Sequence, residues 1–441
     1  MKGYKNFFRF VIPSVLAFAL SGVYTIVDGF FIGQSLGDIG LASIVLGYPI
    51  AAIIQALGTG IGLSGAIQYT IMQARECEEK RTCLGGTTLL MLLASGLITV
   101  LLLVFLYPLL HLLGAEREIL RLTASYIRVI AVGTVFQLLA TGFVPFIRNM
   151  GGAVFAMTAM IAGFLSNVFL DYLFVPKWGM AGAAWATVIG QAVTMLLAVG
   201  FFIKKKIGFA LPHLSAILGF FGSVGKVAAA PFGLTISPTI TIILMNRFLL
   251  LHGNEQDVAA YSCISYVVCI AYLLLQGVGD GCQPLVSRYY GENDMMAVMG
   301  IRKLAYKTAF AISAVCMAVL FLMRKSVGLL FGASPAVSQE VAVYLPLFLA
   351  ALLFISFVRV TTSCFYATEK TGLSYALVFA EPGFQLVLFL LLPLPLGLLG
   401  VWLAVPLAQA LACTVSFFAK RRVDYRADPE KNGWSTNHQS R

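Results

Sequence analysis

A single carboxylate, Asp28, lies within the apolar stretch 7–33, which is long enough to cross a lipid bilayer. A charged side chain in hydrocarbon costs roughly 3 kcal/mol or more, so such residues usually face a protein interior or a water-filled cavity. They commonly mark the path of a proton or an ion. Asp28 is therefore the first residue to which we assign a functional role.

Three further polar side chains are predicted to lie at a depth similar to that of Asp28. At 1.5 Å per residue, Asp28 lies roughly 8 Å below the outer end of the first helix. Asp171 and Asn167 lie at about 6 and 12 Å on the fifth helix, and Thr187 at about 12 Å on the sixth. This set suits Na⁺, which prefers hard oxygen ligands, and equally a proton, because two nearby carboxylates do not both stay ionised cheaply. The alternative is that Asn167 and Thr187 only form a hydrogen bond between helices.

The composition is that of a polytopic membrane protein. Of 441 residues, 59% are hydrophobic and 11% are charged, and the mean hydropathy is +0.90. The net charge of +11 does not indicate nucleic-acid binding, because the basic residues form short clusters between apolar runs, as cytoplasmic loops do. The clusters are Lys2/Lys5/Arg9, Lys80/Arg81, Lys204/Lys205/Lys206, Arg302/Lys303 and Lys420/Arg421/Arg422.

Runs of about 20 or more apolar residues predict an all-α fold with twelve transmembrane helices. A faint repeat at an offset of about 218 residues, which places Asp28 on Asn246, divides the helices into two six-helix lobes. Because each lobe has an even number of helices, a pseudo-two-fold axis along the membrane normal should relate them. The predicted units are the N-terminal lobe 1–204, a cytoplasmic linker 205–225, the C-terminal lobe 226–424 and a disordered cytoplasmic tail 425–441. The predicted helices are 9–33, 40–70, 86–112, 121–146, 152–175, 179–203, 226–251, 257–286, 304–330, 340–367, 372–395 and 397–419.

Pro13 is predicted to be a hinge in the first helix. Proline has no backbone N–H and weakens the helical hydrogen bonds, so the first helix should bend about four turns before Asp28. The alternative is an ordinary kink of a membrane helix.

Polar residues in the second half of the chain can be explained by structural roles. Arg359 and Glu381 lie at about the same depth, roughly 12 Å from the inner ends of neighbouring helices, which favours an ion pair between them. Asp280, in GVGDGCQPL, lies near the inner end of the eighth helix, where it either lines an entrance or is wetted by solvent.

An enzymatic role is disfavoured. Gly62-Leu63-Ser64-Gly65 has the GxSG form of intramembrane serine proteases, but the histidines lie at helix ends, in a loop or in the tail, and small residues in membrane helices are usually packing contacts. A prenyltransferase would need paired acidic motifs, which the sequence lacks. The eight cysteines form no CxxC pair; Cys77 and Cys83 fall in a basic loop that is predicted to be cytoplasmic, where disulfides are rare, and the six in or beside apolar helices are interpreted as packing residues. No cofactor is expected besides the coupling ion, H⁺ or Na⁺.

Four stretches resemble the multidrug and toxic compound extrusion (MATE) transporters, specifically the branch with an aspartate in helix 1. They are IPSVLAFALSGVYTIVDGFFIG at 12–33, GFVPFIRNMGG at 142–152, IAGFLSNVFLDYLFVPKWGMAGAAWATVIGQ at 161–191 and, more weakly, GDGCQPLVSRYYG at 279–291. With the twelve helices, the resemblance covers nearly the whole chain. It implies a V-shaped pair of six-helix bundles.

The resemblance also implies a function. Members of this family are antiporters that export cationic or amphipathic compounds in exchange for Na⁺ or H⁺. Carried over residue by residue, the cation site of the family corresponds to Asp28, Asn167, Asp171 and Thr187, with Tyr24 beside it. The second lobe departs from the family pattern, because no acidic residue lies in helix 7 and because Arg359 and Glu381 are not family positions. Candidates for lining the substrate cavity are Tyr24, Gln191, Asp280, Gln283 and Glu381.

The sequence therefore predicts a monomeric multidrug efflux antiporter of the plasma membrane that works by alternating access. Its expected partners are drug-like small molecules and the lipid bilayer, without nucleic acid. The biased distribution of Lys and Arg between loops places both termini in the cytoplasm, with Arg148 counted among the inner charges. The alternatives are a flippase for lipid-linked saccharides, which would need a more cationic cavity, and a channel or structural membrane protein.

Overall fold

The computed structural model describes residues 2–427, and over these residues the chain is helical without strands. The apolar composition favours this fold, because a helix satisfies its own backbone hydrogen bonds within lipid. The elements are α1 (Lys2–Ala74), α2 (Lys80–Val104), α3 (Leu106–Leu112), α4 (Arg117–Asn149), α5 (Ala153–Lys204), α6 (Ile217–His252), α7 (Glu255–Gly291), α8 (Met295–Leu330), α9 (Pro335–Ala367), α10 (Thr371–Leu391), α11 (Pro393–Leu396) and α12 (Leu398–Ala427).

Two of these helices contain two membrane crossings each. The α1 backbone leaves the helical region at Gly37 (φ 60°, ψ −153°), which separates a first arm, Tyr4–Gly37, from a second arm, Ile39–Ala74. Likewise, α5 reverses at Gly179 (φ 56°, ψ −134°). Unbroken, its 52 residues would be about 78 Å long, more than twice the hydrocarbon thickness. Among the described residues, eleven segments are long and apolar enough to cross a membrane, and dividing α5 gives the twelve crossings that the sequence predicts.

The predicted internal repeat is visible in the backbone. Gly397 lies 218 residues after Gly179 and has the same φ and ψ, 56° and −134°. The next glycines, Gly182 and Gly400, are also equivalent. A Cβ atom on Gly182 would meet the carbonyl of Phe174, and one on Gly400 would meet the carbonyl of Leu392, again 218 residues later. The two halves therefore reverse direction by the same turn.

The buried apolar residues form two large cores that correspond to the two lobes. The first core joins α1 with α2 to α5 and includes Val224 at the start of α6, and the second joins α1 with α6 to α10 and α12. The first arm of α1 contributes to both cores, because Phe7 and Val11 lie in the second core whereas Ile32 lies in the first. We call the end of the bundle that holds Phe7, Asn149 and Gly291 the terminal face.

The helices extend beyond several predicted boundaries. α6 begins at Ile217, so part of the predicted linker 205–225 is helical, and α8 begins at Met295 rather than at 304. These ends contain helix-disfavouring glycines, Gly219, Gly222 and Gly225 in α6 and Gly300 in α8, and α8 also contains the charged pair Arg302/Lys303, but the backbone remains helical there. The division into domains stays a prediction, and residues 428–441 of the predicted tail lie outside the described residues.

Candidate functional site

The four residues predicted to bind a cation lie together in the first lobe. Asp28, Asn167 and Asp171 are 8%, 2% and 0% exposed. The Asn167 amide Nδ2 donates a hydrogen bond to Thr187 Oγ1 across 3.4 Å, between the two halves of α5. The carboxyl groups of Asp28 and Asp171 are close enough to interact. Helix rotation, which depth alone does not give, therefore brings all four to one position.

Several oxygen atoms at this position have no hydrogen-bond donor. Asp28 Oδ1, Asn167 Oδ1 and both carboxylate oxygens of Asp171 are buried and accept no hydrogen bond from the described residues. Buried polar atoms are nearly always paired, and leaving one unpaired costs about 1–3 kcal/mol or more if it is charged. Four such oxygen atoms in one place are able to hold a cation or to accept a proton.

Aromatic side chains surround this group. Tyr24, one turn before Asp28, stacks on Phe164 with ring centroids 5.2 Å apart and planes 7° from parallel. Tyr126 of α4 is buried and approaches Thr187 and both carboxylates. Sequence reasoning missed Tyr126, because a tyrosine in an apolar helix looks like a packing residue until the facing helices are known.

Two other residues with a predicted role, Gln191 and Pro13, also belong to this lobe. Gln191 is half-buried one turn beyond Thr187, so it remains a candidate for the cavity. Pro13 is buried and α1 continues through it as a helix, with Gly37 as the non-helical residue within α1. The hinge at Pro13 stays a prediction.

The predicted ion pair between Arg359 and Glu381 is wrong. Arg359 Nη1 donates to the Leu234 carbonyl at 3.1 Å and to Gln276 Oε1 at 3.2 Å, and its guanidinium lies 5.5 Å from the centre of the Tyr272 ring. Glu381 instead accepts a long hydrogen bond of 3.5 Å from Gln385. Both residues are more than nine-tenths buried. Equal depth did not make them partners, because Arg359 faces α6 and α7.

These contacts give different expectations for the two residues. Arg359→Met removes the donor from two buried acceptors and should lower the free energy of unfolding by about 2 kcal/mol or more. Glu381→Gln keeps the shape and removes no ion pair, so its thermal midpoint in detergent should remain near that of the wild type. The exposed Arg247→Met is the control. An equal loss of thermal stability in both buried variants would contradict this assignment.

The expectation that Asp280 is wetted or lines an entrance is also wrong for this conformation. Asp280 is 1% exposed, accepts hydrogen bonds from Gln276 at 2.9 Å and Tyr366 at 3.2 Å, and lies 3.6 Å from Arg148 Nη2 of the other lobe. Gln283, one turn later, is buried against Asn149. Neither faces an open cavity here, and their role in substrate binding stays a prediction.

The residues of the GxSG motif, Gly62 to Gly65, form packing contacts between helices. Ser64 Oγ donates to the Val224 carbonyl at 2.7 Å, and a Cβ atom on Gly62 would overlap the Gly142 backbone of α4. The motif therefore lets helices approach closely, as expected of small residues in membrane helices.

Comparison with known proteins agrees with this architecture. The MatE family model matches residues 13–173 and 227–391, one match in each lobe. A multidrug export protein MepA of Staphylococcus saprophyticus is 28% identical over 72% of this chain and 71% of its own length, and that of Staphylococcus haemolyticus is 24% identical over 94% and 92%.

Solved structures share the fold. An outward-facing multidrug resistance MATE transporter of the MOP superfamily superposes with a TM-score of 0.89 at 23% identity, over 96% of each chain. A MOP superfamily transporter from Pyrococcus furiosus, whose binding pocket is described as having reversed polarity, superposes with a TM-score of 0.89 at 22% identity, over 97% of each chain. The family match in both lobes and the shared fold show that this chain belongs to the MatE family, the MATE membrane transporters, and is a transporter rather than an enzyme.

Proposed function

We propose that this transporter is an antiporter that exports cationic or amphipathic small molecules in exchange for H⁺ or Na⁺. The observation that carries the proposal is the group of four buried oxygen atoms on Asp28, Asn167 and Asp171 that accept no hydrogen bond from residues 2–427 as the structure describes them. The relatives named as multidrug export proteins support the substrate class.

The chemistry of the site fits either coupling ion. For Na⁺, the carboxylates of Asp28 and Asp171 would supply charge, and the Asn167 amide and Thr187 hydroxyl would supply neutral oxygen ligands. For H⁺, one of the two carboxylates would take the proton, because two adjacent buried carboxylates are costly when both are ionised. In both cases the bound ion removes the repulsion between Asp28 and Asp171.

Competition for the same charge explains why the proposed transport is an exchange. An ionised carboxylate without a counter-charge is strongly unfavourable in a buried position. Whenever the site is buried, it therefore needs a proton, Na⁺ or a cationic substrate to neutralise it. A cationic substrate and the coupling ion can each supply that charge. The stacked rings of Tyr24 and Phe164 add an apolar, electron-rich surface, which attracts organic cations.

The proposed orientation follows from the basic residues. Most of the described Lys and Arg residues lie in helix ends and connecting segments near the terminal face. We therefore place this face and both chain termini in the cytoplasm, with the protein in the plasma membrane. We propose that the monomer is the transporting unit, because each chain contains both lobes.

A flippase for lipid-linked saccharides is not favoured. Such a substrate carries a diphosphate and needs exposed cationic side chains within the cavity. Arg359 is buried and donates a hydrogen bond to the Leu234 carbonyl. Arg247 is exposed, and it lies at the end of the bundle opposite to the terminal face.

Transport into inverted membrane vesicles tests the proposal. A fluorescent organic cation such as ethidium should accumulate when the vesicle lumen is made acidic or is loaded with Na⁺, and the two gradients imposed separately identify the ion. Accumulation should collapse when that gradient is dissipated. Equal uptake with and without either gradient would indicate a channel, and uptake equal to that of vesicles without the protein would exclude export of this cation.

A further inference from the structure

A buried polar cluster joins the two lobes beside the terminal face. We call Arg148 and Asn149 of α4 together with Asp280 and Gln283 of α7 the inter-lobe latch. Arg148 Nη2 lies 3.6 Å from Asp280 Oδ2, and these side chains are 8% and 1% exposed. Asn149 and Gln283 exchange two hydrogen bonds, of 2.9 and 3.1 Å, through their amide groups.

Each half of the latch is held by its own lobe. Thr70 of α1 donates to Asn149 Oδ1 at 2.6 Å, and the Pro145 carbonyl accepts from Asn149 Nδ2. On the other side, Gln276 and Tyr366 donate to Asp280 Oδ1, and Gln283 donates to Ser287 at 2.9 Å. The side chains are therefore oriented before they meet, and the contacts between them are the ones that separation of the lobes would break.

The Arg148–Asp280 contact is the longest of the contacts between the two lobes in this cluster. Asp280 Oδ2 accepts no hydrogen bond from the described residues, and its ion-pair partner is Arg148 at a distance beyond normal hydrogen bonding. A buried carboxylate that loses its counter-charge is costly, but this cost falls once water reaches it. The pair is thus stable while the lobes are closed and is replaceable by water when they part.

The latch lies next to the helix that carries Asp28. The Arg148 guanidinium is 5.9 Å from the centre of the Phe18 ring on α1. On α7, Cβ atoms at Gly277 and Gly281 would lie 2.6 and 2.7 Å from the Cα atoms of Val15 and Val11. The first arm of α1 therefore contacts both Arg148 of the latch and the α7 surface that carries Gly277 and Gly281.

We propose that the inter-lobe latch holds the terminal face closed and must open once in every transport cycle, and that the Arg148–Asp280 pair sets how often it opens. This inference rests on the proposed function and on the alternating-access cycle that the sequence analysis predicts for it. It gives Asp280 and Gln283 a role in closing the pathway.

Accessibility of a cysteine at Ser14 measures opening without any transported substrate. Ser14 is buried on α1 behind Gly281. In a variant without the eight native cysteines, Ser14→Cys is exposed to a membrane-impermeant maleimide added to inverted vesicles. Arg148→Gln and Asp280→Asn should each raise the alkylation rate, on the order of tenfold. Because the two charges interact, the rate increase in the double variant should be smaller than the product of the two single increases.

Arg302→Gln is the matched control. Arg302 is as buried as Arg148, with its side chain also 8% exposed, and it pairs with Asp424, but both residues belong to the C-terminal lobe. Its alkylation rate should stay at the parental value. Equal rates in all variants, or independent effects of Arg148→Gln and Asp280→Asn, would overturn the role of the pair.

A cross-link tests whether the latch must open. The amide pair of Asn149 and Gln283 separates their backbones by more than a disulfide spans, so a short bis-methanethiosulfonate cross-linker is used. Cross-linked Asn149→Cys/Gln283→Cys should join the lobes and stop export of the organic cation, and reduction should restore it. The control pair Arg302→Cys/Asp424→Cys, cross-linked in the same way within one lobe, should leave export unchanged. Full export by the cross-linked latch would refute the proposal. A third outcome is that neither the parent nor any variant exports the organic cation, while the alkylation rates differ as expected. This outcome would refute the proposed function and support the role of the latch in closing the terminal face.

Discussion

Asp28→Asn should reduce gradient-driven export of an organic cation to the level of vesicles without the protein. The substitution keeps the shape of the side chain but removes the charge that a proton or Na⁺ would neutralise. The Asp171 carboxylate would then lie beside a neutral amide, so the site would lose the repulsion that its ligand relieves. Uptake into inverted vesicles under the H⁺ and Na⁺ gradients, at matched protein levels, is the measurement.

The same variant should remain folded. Within the described part of the chain, Asp28 Oδ1 has no hydrogen-bond partner to lose. The elution profile and thermal midpoint of the variant in detergent should therefore match those of the parent. The control Asp294→Asn makes the same chemical change at an exposed helix N-cap of α8, where asparagine caps equally well, and should keep full export. Export by Asp28→Asn at the parental rate would show that Asp28 does not couple transport to the ion.

Gly62→Val should prevent accumulation of the folded transporter. A Cβ atom at this position would overlap the Gly142 backbone of α4, and backbone cannot move aside as a flexible side chain can. Overpacking in a well-packed core costs roughly 1–3 kcal/mol, and a backbone collision should lie at or above the upper end of this range. The measurement is the monodisperse fraction and thermal midpoint of the detergent-extracted protein.

Gly96→Val is the control for Gly62→Val. Gly96 is in α2 at an exposed position with no atom within 4 Å of an added Cβ, so valine should be tolerated there. A stable Gly62→Val would mean that the α1–α4 contact is looser than the structure has it. Loss of function in a stable Gly62→Val would instead reopen a chemical role for the GxSG motif.

The fold could be predicted because membrane insertion constrains the sequence strongly. Apolar runs of fixed length gave the crossings, and the repeat at an offset of 218 residues reappears as the shared backbone conformation of Gly179 and Gly397. The candidate cation site could be predicted for a related reason, because carboxylates such as Asp28 and Asp171 are rare in hydrocarbon and are easily noticed.

The contacts between the lobes could not be predicted in the same way. Depth along a helix follows from counting residues, but the direction of each side chain around the helix axis depends on packing. Arg359 and Glu381 share a depth and still face different partners. In the sequence, Arg148 is one of the basic residues that indicate topology, and no pattern shows that it reaches Asp280, which is 132 positions away.

The first arm of α1 ends in two different hydrophobic cores, with Phe7 and Val11 in one and Ile32 in the other. Asp28 therefore belongs to a helix that both lobes hold, and its position depends on how they are arranged. Linkage between sites is reciprocal for binding free energies. If the coupling ion changes the fraction of molecules with parted lobes, then fixing the lobes together must change the affinity for the ion by the corresponding factor. Titration of the ion with the Asn149→Cys/Gln283→Cys protein, cross-linked and then reduced, would give two dissociation constants. RT times the logarithm of their ratio is the free energy of coupling between the latch and the ion site.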